Sequence, residues 1–155
     1  MSKWGSVDFK QLKDLQKRIE RLQKAELKVF CEAVSKELAA RLLAKVIKRT
    51  PVGQYPANSG KVGGTLRRGW TGEKQQGAAA YAKSLPVYQN GNTFTIVIKN
   101  PVEYASYVEF GHRTRGGGGW VEGRFMLTKS EMEVEGQAQQ IIEKELMQYL
   151  GDIFE

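Results

Sequence analysis

Apolar residues recur at steps of three and four along the first third of the chain. They are Phe9, Leu12, Leu15, Ile19 and Leu22, then Val29, Phe30, Ala33, Val34, Leu38, Leu42 and Val46. That spacing places them on one face of an α-helix. No glycine or proline interrupts Ser6 to Thr50. Ser6 fits an N-cap, and Asp8 fits the first turn, where the helix dipole favours a carboxylate. Lys45, Lys48 and Arg49 fit the last turn, and Pro51 stops the helix. A helix from Asp8 to Lys48 spans about 60 Å. A compact domain of this length has a radius of gyration of only about 15 Å. The helix therefore either breaks, in the polar stretch Gln23 to Lys28, or projects its first half onto a partner.

Residues 51–123 hold 14 of the 17 glycines and all four prolines. The pattern predicts short strands at Leu66–Thr71, Ser84–Gln89 and Thr93–Lys99, the last two flanking the hairpin signal Asn90-Gly91. Phe94, Ile96 and Ile98 share one face of the last strand. Gly53–Gly64 and Thr71–Ala80 read as loops. Asn100, Pro101 and Glu103 read as N-cap, first helical residue and capping-box partner of a helix ending at Gly111. Tyr104, Tyr107, Val108 and Phe110 are expected in the core, with this helix on the hairpin. A glycine-rich loop, His112 to Trp120, follows. A closing helix then runs from about Arg124 to Leu150, with Leu127, Val134, Ala138, Ile141, Ile142, Leu146, Tyr149 and Leu150 as its apolar stripe. Gly136 is a weak point in it. The expected architecture is a single α+β domain over residues 1–155. It has a long N-terminal helix, a small antiparallel sheet with a hairpin, a short helix, and a long C-terminal helix packed on the sheet.

Composition narrows the function classes. With 155 residues and 41% hydrophobic content the chain supports one core and is not a disordered polymer. No apolar run approaches the roughly 20 residues of a membrane span. Cys31 stands alone, so no internal disulfide forms, and with His112 as the sole histidine there is no zinc set. Phosphate-loop, dinucleotide-loop and nucleophile-elbow motifs are all missing. His112 sits beside Arg113, which opposes its protonation, and needs Glu109 or Glu122 to orient it as a base. Glu103 and Glu109 are six apart on one short helix and do not converge on a metal. No catalytic residue and no cofactor is expected.

Charge is unevenly spread. Residues 1–49 carry +7, residues 50–129 carry +6 and residues 130–155 carry −6. The asymmetry fits solvated helix faces, a nucleic-acid surface, or head-to-tail contact between copies. In a strand, Arg67 and Arg68 point to opposite faces, so one of them needs a carboxylate, Glu103 or Glu109. Arg113 and Arg115, in a glycine loop with Trp120, fit a nucleic-acid arm or an interface loop anchored by the indole.

Three blocks carry a family resemblance. They are Thr50-Pro51-Val52 with Gly64-Thr65-Leu66-Arg67-Arg68-Gly69-Trp70, the continuous run Asn100 to Arg113, and Trp120 to Leu127. Together they resemble the tail-completion, or head–tail joining, family of long-tailed bacteriophages and prophage-derived particles, over about residues 25–150. The linker Gly53–Gly63 and the tetraglycine are longer than the family pattern. The resemblance implies a non-enzymatic virion protein of the neck or tail, assembled in the host cytoplasm as a homo-oligomeric ring, of six subunits, around the DNA channel. Its implied partners are a head-side connector or adaptor, tail terminator or tube proteins, and DNA held without sequence specificity; no membrane is implied. Arg113, Arg115, Trp120, Glu131, Glu135 and Glu143 are the expected subunit or partner contacts, and Glu131, Glu133 and Glu135, or Glu143 and Glu145, are expected near basic groups of an adjacent subunit. Lys74, Arg113 and Arg115 are the expected DNA-channel contacts. Arg67, Arg68, Glu103, Tyr104, Tyr107, Glu109 and Gly111 are the expected fold determinants. The alternative is a free basic nucleic-acid-binding module.

Overall fold

The computed structural model describes residues 26–74 and 76–154, with helical residues at 13, 14, 16, 17 and 20. The expected cap at Ser6 and Asp8 and the stripe from Phe9 to Leu22 lie outside the described residues. So does the first part, Gln23 to Ala25, of the stretch where a break is expected.

Helix α1 runs Leu27–Arg49 and ends where extended Thr50 leads into Pro51. Thr50 is fully buried. Its N–H and its hydroxyl both donate to the Val46 carbonyl, at 2.9 and 2.6 Å. The Trp70 indole donates to the hydroxyl at 2.8 Å, and the Arg67 guanidinium donates to the Thr50 carbonyl at 2.7 and 3.2 Å. The helix end is thus sealed by the segment that follows the long linker.

That segment is helix α2, Thr65–Gly69, not the strand expected over Leu66–Thr71. Leu66, Gly69 and Trp70 are all buried, and their three- and four-residue spacing is helical. Gly64, at φ 93°, turns the chain into it. Helix α3, Ala78–Ser84, takes the last three residues of the loop expected over Thr71–Ala80 and the first residue of the strand expected at Ser84–Gln89. Its alanines let it lie close along α1, with Ala82 fully buried, and Lys36 of α1 donates to the Lys83 carbonyl at 2.8 Å.

The hairpin forms close to the expected place, with shorter strands and a turn one residue later than Asn90-Gly91. β1 is Tyr88–Asn90 and β2 is Thr93–Thr95, antiparallel, with Gly91-Asn92 as the turn. Alternation continues beyond β2: Phe94, Ile96 and Ile98 are half-buried, while Thr93, Thr95, Val97 and Lys99 are exposed. Helix α4 is Ala105–Phe110, and β3, Gly111–Arg113, follows at once. β3 pairs antiparallel with β4, Trp120–Glu122. Helix α5, Met126–Phe154, closes the chain, uninterrupted at Gly136.

The core joins Ala39, Leu43 and Val46 of α1 to Leu66, Trp70, Ala82 and Met126. Leu38 and Leu42 are only half-buried. They line a groove with Phe94, Ile96, Ile98 and Val134, where α5 reaches the hairpin face. α5 lies antiparallel along α1. Phe30 meets Tyr149 at 5.1 Å between ring centroids, while Arg49, at the other end of α1, donates to Ser130 at 3.1 Å. The mixed α+β architecture is the expected one, but α5 packs chiefly along α1 and not on the sheet.

Candidate functional site

Three residues that resist a simple core reading, Glu109, Gly111 and Asn100, organise the centre of the molecule. Glu109 is 6% exposed. Its carboxylate accepts the Leu127 N–H at 2.9 Å, the Thr128 N–H at 2.9 Å and the Thr128 hydroxyl at 2.7 Å. The first turn of a helix has free N–H groups and a positive dipole end. Glu109 therefore caps α5 from a different element. Main-chain bonds reinforce the joint: the Arg124 N–H donates to Val108 at 2.7 Å and the Phe125 N–H to Glu109 at 3.0 Å.

The expected pairing of Glu109 with Arg67 or Arg68 does not form. Arg67 is committed to Thr50, and Arg68 donates to the Gly63 carbonyl at 3.2 Å and the Thr65 hydroxyl at 3.3 Å. Glu103 is exposed, and the expected capping box is absent because α4 begins only at Ala105. Asn100 still caps a turn by accepting the Val102 N–H at 3.1 Å, while its amide donates to the Leu66 carbonyl at 2.7 Å. A Cβ on Gly69 would lie 2.2 Å from the Asn100 Oδ1. The glycine thus admits the side chain that ties α2 to the approach to α4.

Gly111, at φ 87°, ends α4 as expected. A Cβ on it would lie 2.5 Å from the Val121 carbonyl oxygen, and one on Gly123 would lie 2.4 Å from that of Glu109. The two glycines let the end of α4 and the exit of β4 touch backbone to backbone. The segment expected as a loop from His112 to Trp120 is therefore a hairpin. Its tip is closed by the Thr114 N–H donating to the Gly119 carbonyl at 3.0 Å. The His112 ring stands 5.8 Å from that of Tyr107, and its enclosed Nδ1 has no hydrogen-bond partner. Glu109, one of the two carboxylates that sequence reasoning offered to orient it, is occupied by α5.

With Glu109 inside, the aromatic side of α4 faces out, which corrects the core expectation. Tyr104 is 44%, Tyr107 58% and Phe110 62% exposed; of the four, only Val108 packs against the core. The carboxylate, not the phenyl ring, has the buried partner. Phe110 meets Phe125 edge to face at 6.5 Å, and Trp120 lies on the adjoining β4, 54% exposed. Arg113 pairs with Trp120 across the hairpin, and Arg113 and Arg115 are both exposed. Lys74 is exposed in the segment between α2 and α3.

On α5, Glu131, Glu135 and Glu143 are exposed, and Glu143 accepts from Gln139 at 3.0 Å. Glu133 is different. It pairs with Arg49 and, at 3.0 Å, with Lys45 of the same chain. These cations, Arg49 foremost, hold its carboxyl below the usual range. The expectation that Glu133 serves an adjacent copy overlooked the antiparallel course of α5 along the basic end of α1. Glu145 lines a groove with Phe30 and Tyr149.

Among the described residues no group of histidine, cysteine or carboxylate side chains converges to hold a metal, and no helix is long and apolar enough to cross a membrane. Neither a curated protein nor a solved structure matches the chain. A family model described as "Bacteriophage HK97-gp10, putative tail-component" matches residues 13–111. The matched span ends on Gly111, so it takes in the sealed end of α1, the Asn100 tie and the inverted helix α4. It covers well over half of the sequence, and the chain belongs to the HK97-gp10-like family of bacteriophage tail components.

Proposed function

We propose that this tail component works by assembly and not by catalysis, as a tail-completion or head–tail joining subunit that closes into a ring around the DNA channel. The observation that carries the reading is helix α4, which buries its carboxylate and presents Tyr107 and Phe110 to solvent beside Trp120. Monomeric proteins rarely leave such an aromatic surface uncovered. Aromatic and arginine side chains are the types enriched at the centre of protein interfaces. Ring closure needs a heterologous contact, one surface meeting a different one on the next copy. The basic body and the acidic residues 130–155 supply surfaces of opposite sign. Lys74 is a candidate for the lumen, where DNA passes without sequence readout. A connector on the head side and terminator or tube proteins on the tail side are the neighbours this role requires.

Native mass spectrometry of the purified chain, alone and mixed with its neck and tail neighbours, tests the proposal. The expected result is a discrete multiple of 17.4 kDa, with six copies the leading number. A single copy under every condition overturns it.

A second reading, a free nucleic-acid-binding module, draws on exposed Arg113, Arg115 and Trp120 on one hairpin. It requires an isolated monomer to bind DNA tightly and with strong salt dependence. A gel-shift titration at two salt concentrations separates the readings, because the ring subunit shows at most weak retention.

A further inference from the structure

We infer that the aromatic face of α4 and the β3–β4 hairpin docks on the outer face of α5 of a second copy. The inference rests on the ring reading and names which two surfaces meet.

The first surface is apolar at its centre and basic at its edge. Tyr107 and Phe110 are more than half exposed, Trp120 lies beside them, and Arg113 and Arg115 extend from the same hairpin. Phe125 completes the patch at a cost. Its φ of 48° lies in the left-handed region, which L-residues avoid, and its ring is packed on Phe110 while 36% exposed. A strained backbone that supports an exposed ring points to a partner for that ring.

The second surface carries the complementary charge. At about 100° per residue, Glu131, Ile142 and Glu135 lie within about 40° of one another on α5, and Met132 and Glu143 lie about 60–80° further round the helix. Met132 is 66% and Ile142 38% exposed. Among the described residues no cation lies within ion-pair distance of Glu131, Glu135 or Glu143. Glu133, on the opposite side of the same helix, shows what this helix does with an arginine in reach: it pairs with Arg49. An acidic stripe studded with flexible apolar side chains fits an aromatic platform edged by arginines. Opposite potentials across an interface also fix which surfaces meet.

Two charge-reversed variants of the full chain test this. One is R113E/R115E; the other is E131R/E135R/E143R. All five side chains are exposed, so helical circular dichroism and melting temperature are expected to stay close to native. Each variant alone is expected to self-associate about tenfold more weakly, or worse, because its two surfaces now carry like charge. Mixed, they are expected to assemble, since every contact between unlike variants is again attractive. Phe110→Ser, which leaves charge unchanged, is expected to weaken association of native chain as well. If both variants assemble alone as native chain does, the inference is overturned while the ring reading stands. If native chain is a single copy alone and with its neighbours, the ring reading falls and takes this inference with it.

Discussion

Glu109 places three hydrogen-bond donors of α5 on one carboxylate that water hardly reaches. Removing it leaves two part-buried N–H groups and a part-buried hydroxyl without their acceptor, and such groups are costly when desolvated. Glu109→Ala is therefore expected to lose about 2–3 kcal/mol, which is roughly 6–10 °C in melting temperature for a chain of this size. Glu109→Gln keeps one acceptor oxygen and should lose less. Urea unfolding of the three proteins checks the order; equal stabilities would show that the cap contributes nothing. Glycines separate just as sharply. Gly123→Ala would force a methyl group to 2.4 Å from a backbone oxygen that cannot rotate away, whereas Gly118 has nothing within 4 Å of a Cβ. We expect Gly123→Ala to destabilise by about 2 kcal/mol or more and Gly118→Ala to stay within about 0.5 kcal/mol of native. Of these determinants, Glu109 and Gly111 were legible as important from the sequence. The role of Glu109 was not, because two of its three partners are main-chain groups, 18 and 19 residues away, that carry no sequence signature.

At the scale of elements, length decided what could be read. α1 and α5 are long enough for a 3.6-residue period to stand out. α2 has five residues, too few to separate a helical spacing from a strand-like one. α3 is mostly alanine, which gives no contrast between faces. The tetraglycine concealed a hairpin, since its strands are three residues each and are joined by tight backbone approach. α4 misled by composition: its aromatics look like core, and only the end of α5 explains why the helix is turned the other way. The antiparallel clasp of α1 and α5 carries its own test. Glu133 binds a proton less readily in the folded chain than in the unfolded one, because Arg49 and Lys45 hold it charged. Its contribution is therefore present above the ordinary carboxylate value and is lost as pH falls through the lowered one. Glu133→Gln should melt slightly below native at neutral pH, and the gap should close in strong acid. High salt should narrow it too, since the pair is solvent-exposed. A gap that persists in acid would assign the loss to packing.

Taken whole, the molecule separates two tasks in space. Its stability lies where Thr50, Trp70, Leu43 and Met126 meet, and none of these side chains reaches the surface. Tyr107, Phe110 and Trp120, each more than half exposed, lie on α4 and β4, and α4 touches that core through Val108 and the Glu109 cap. Changes on the outer side of α4 should therefore act on assembly and not on folding. The combined variant Tyr107→Ser, Phe110→Ser and Trp120→Ser removes more than half-exposed rings and leaves the cap and the core untouched. Surface replacements of this kind shift stability little, so melting temperature is expected within a few degrees of native, with solubility equal or better. If the chain joins heads to tails as proposed, a phage supplied only with this variant should accumulate filled heads and finished tails unjoined, as counted by electron microscopy. Joined particles at native yield would show that these rings serve no contact in the virion. A chain that failed to fold would show that the aromatics belong to the core after all, against the division of labour that the buried carboxylate imposes on α4.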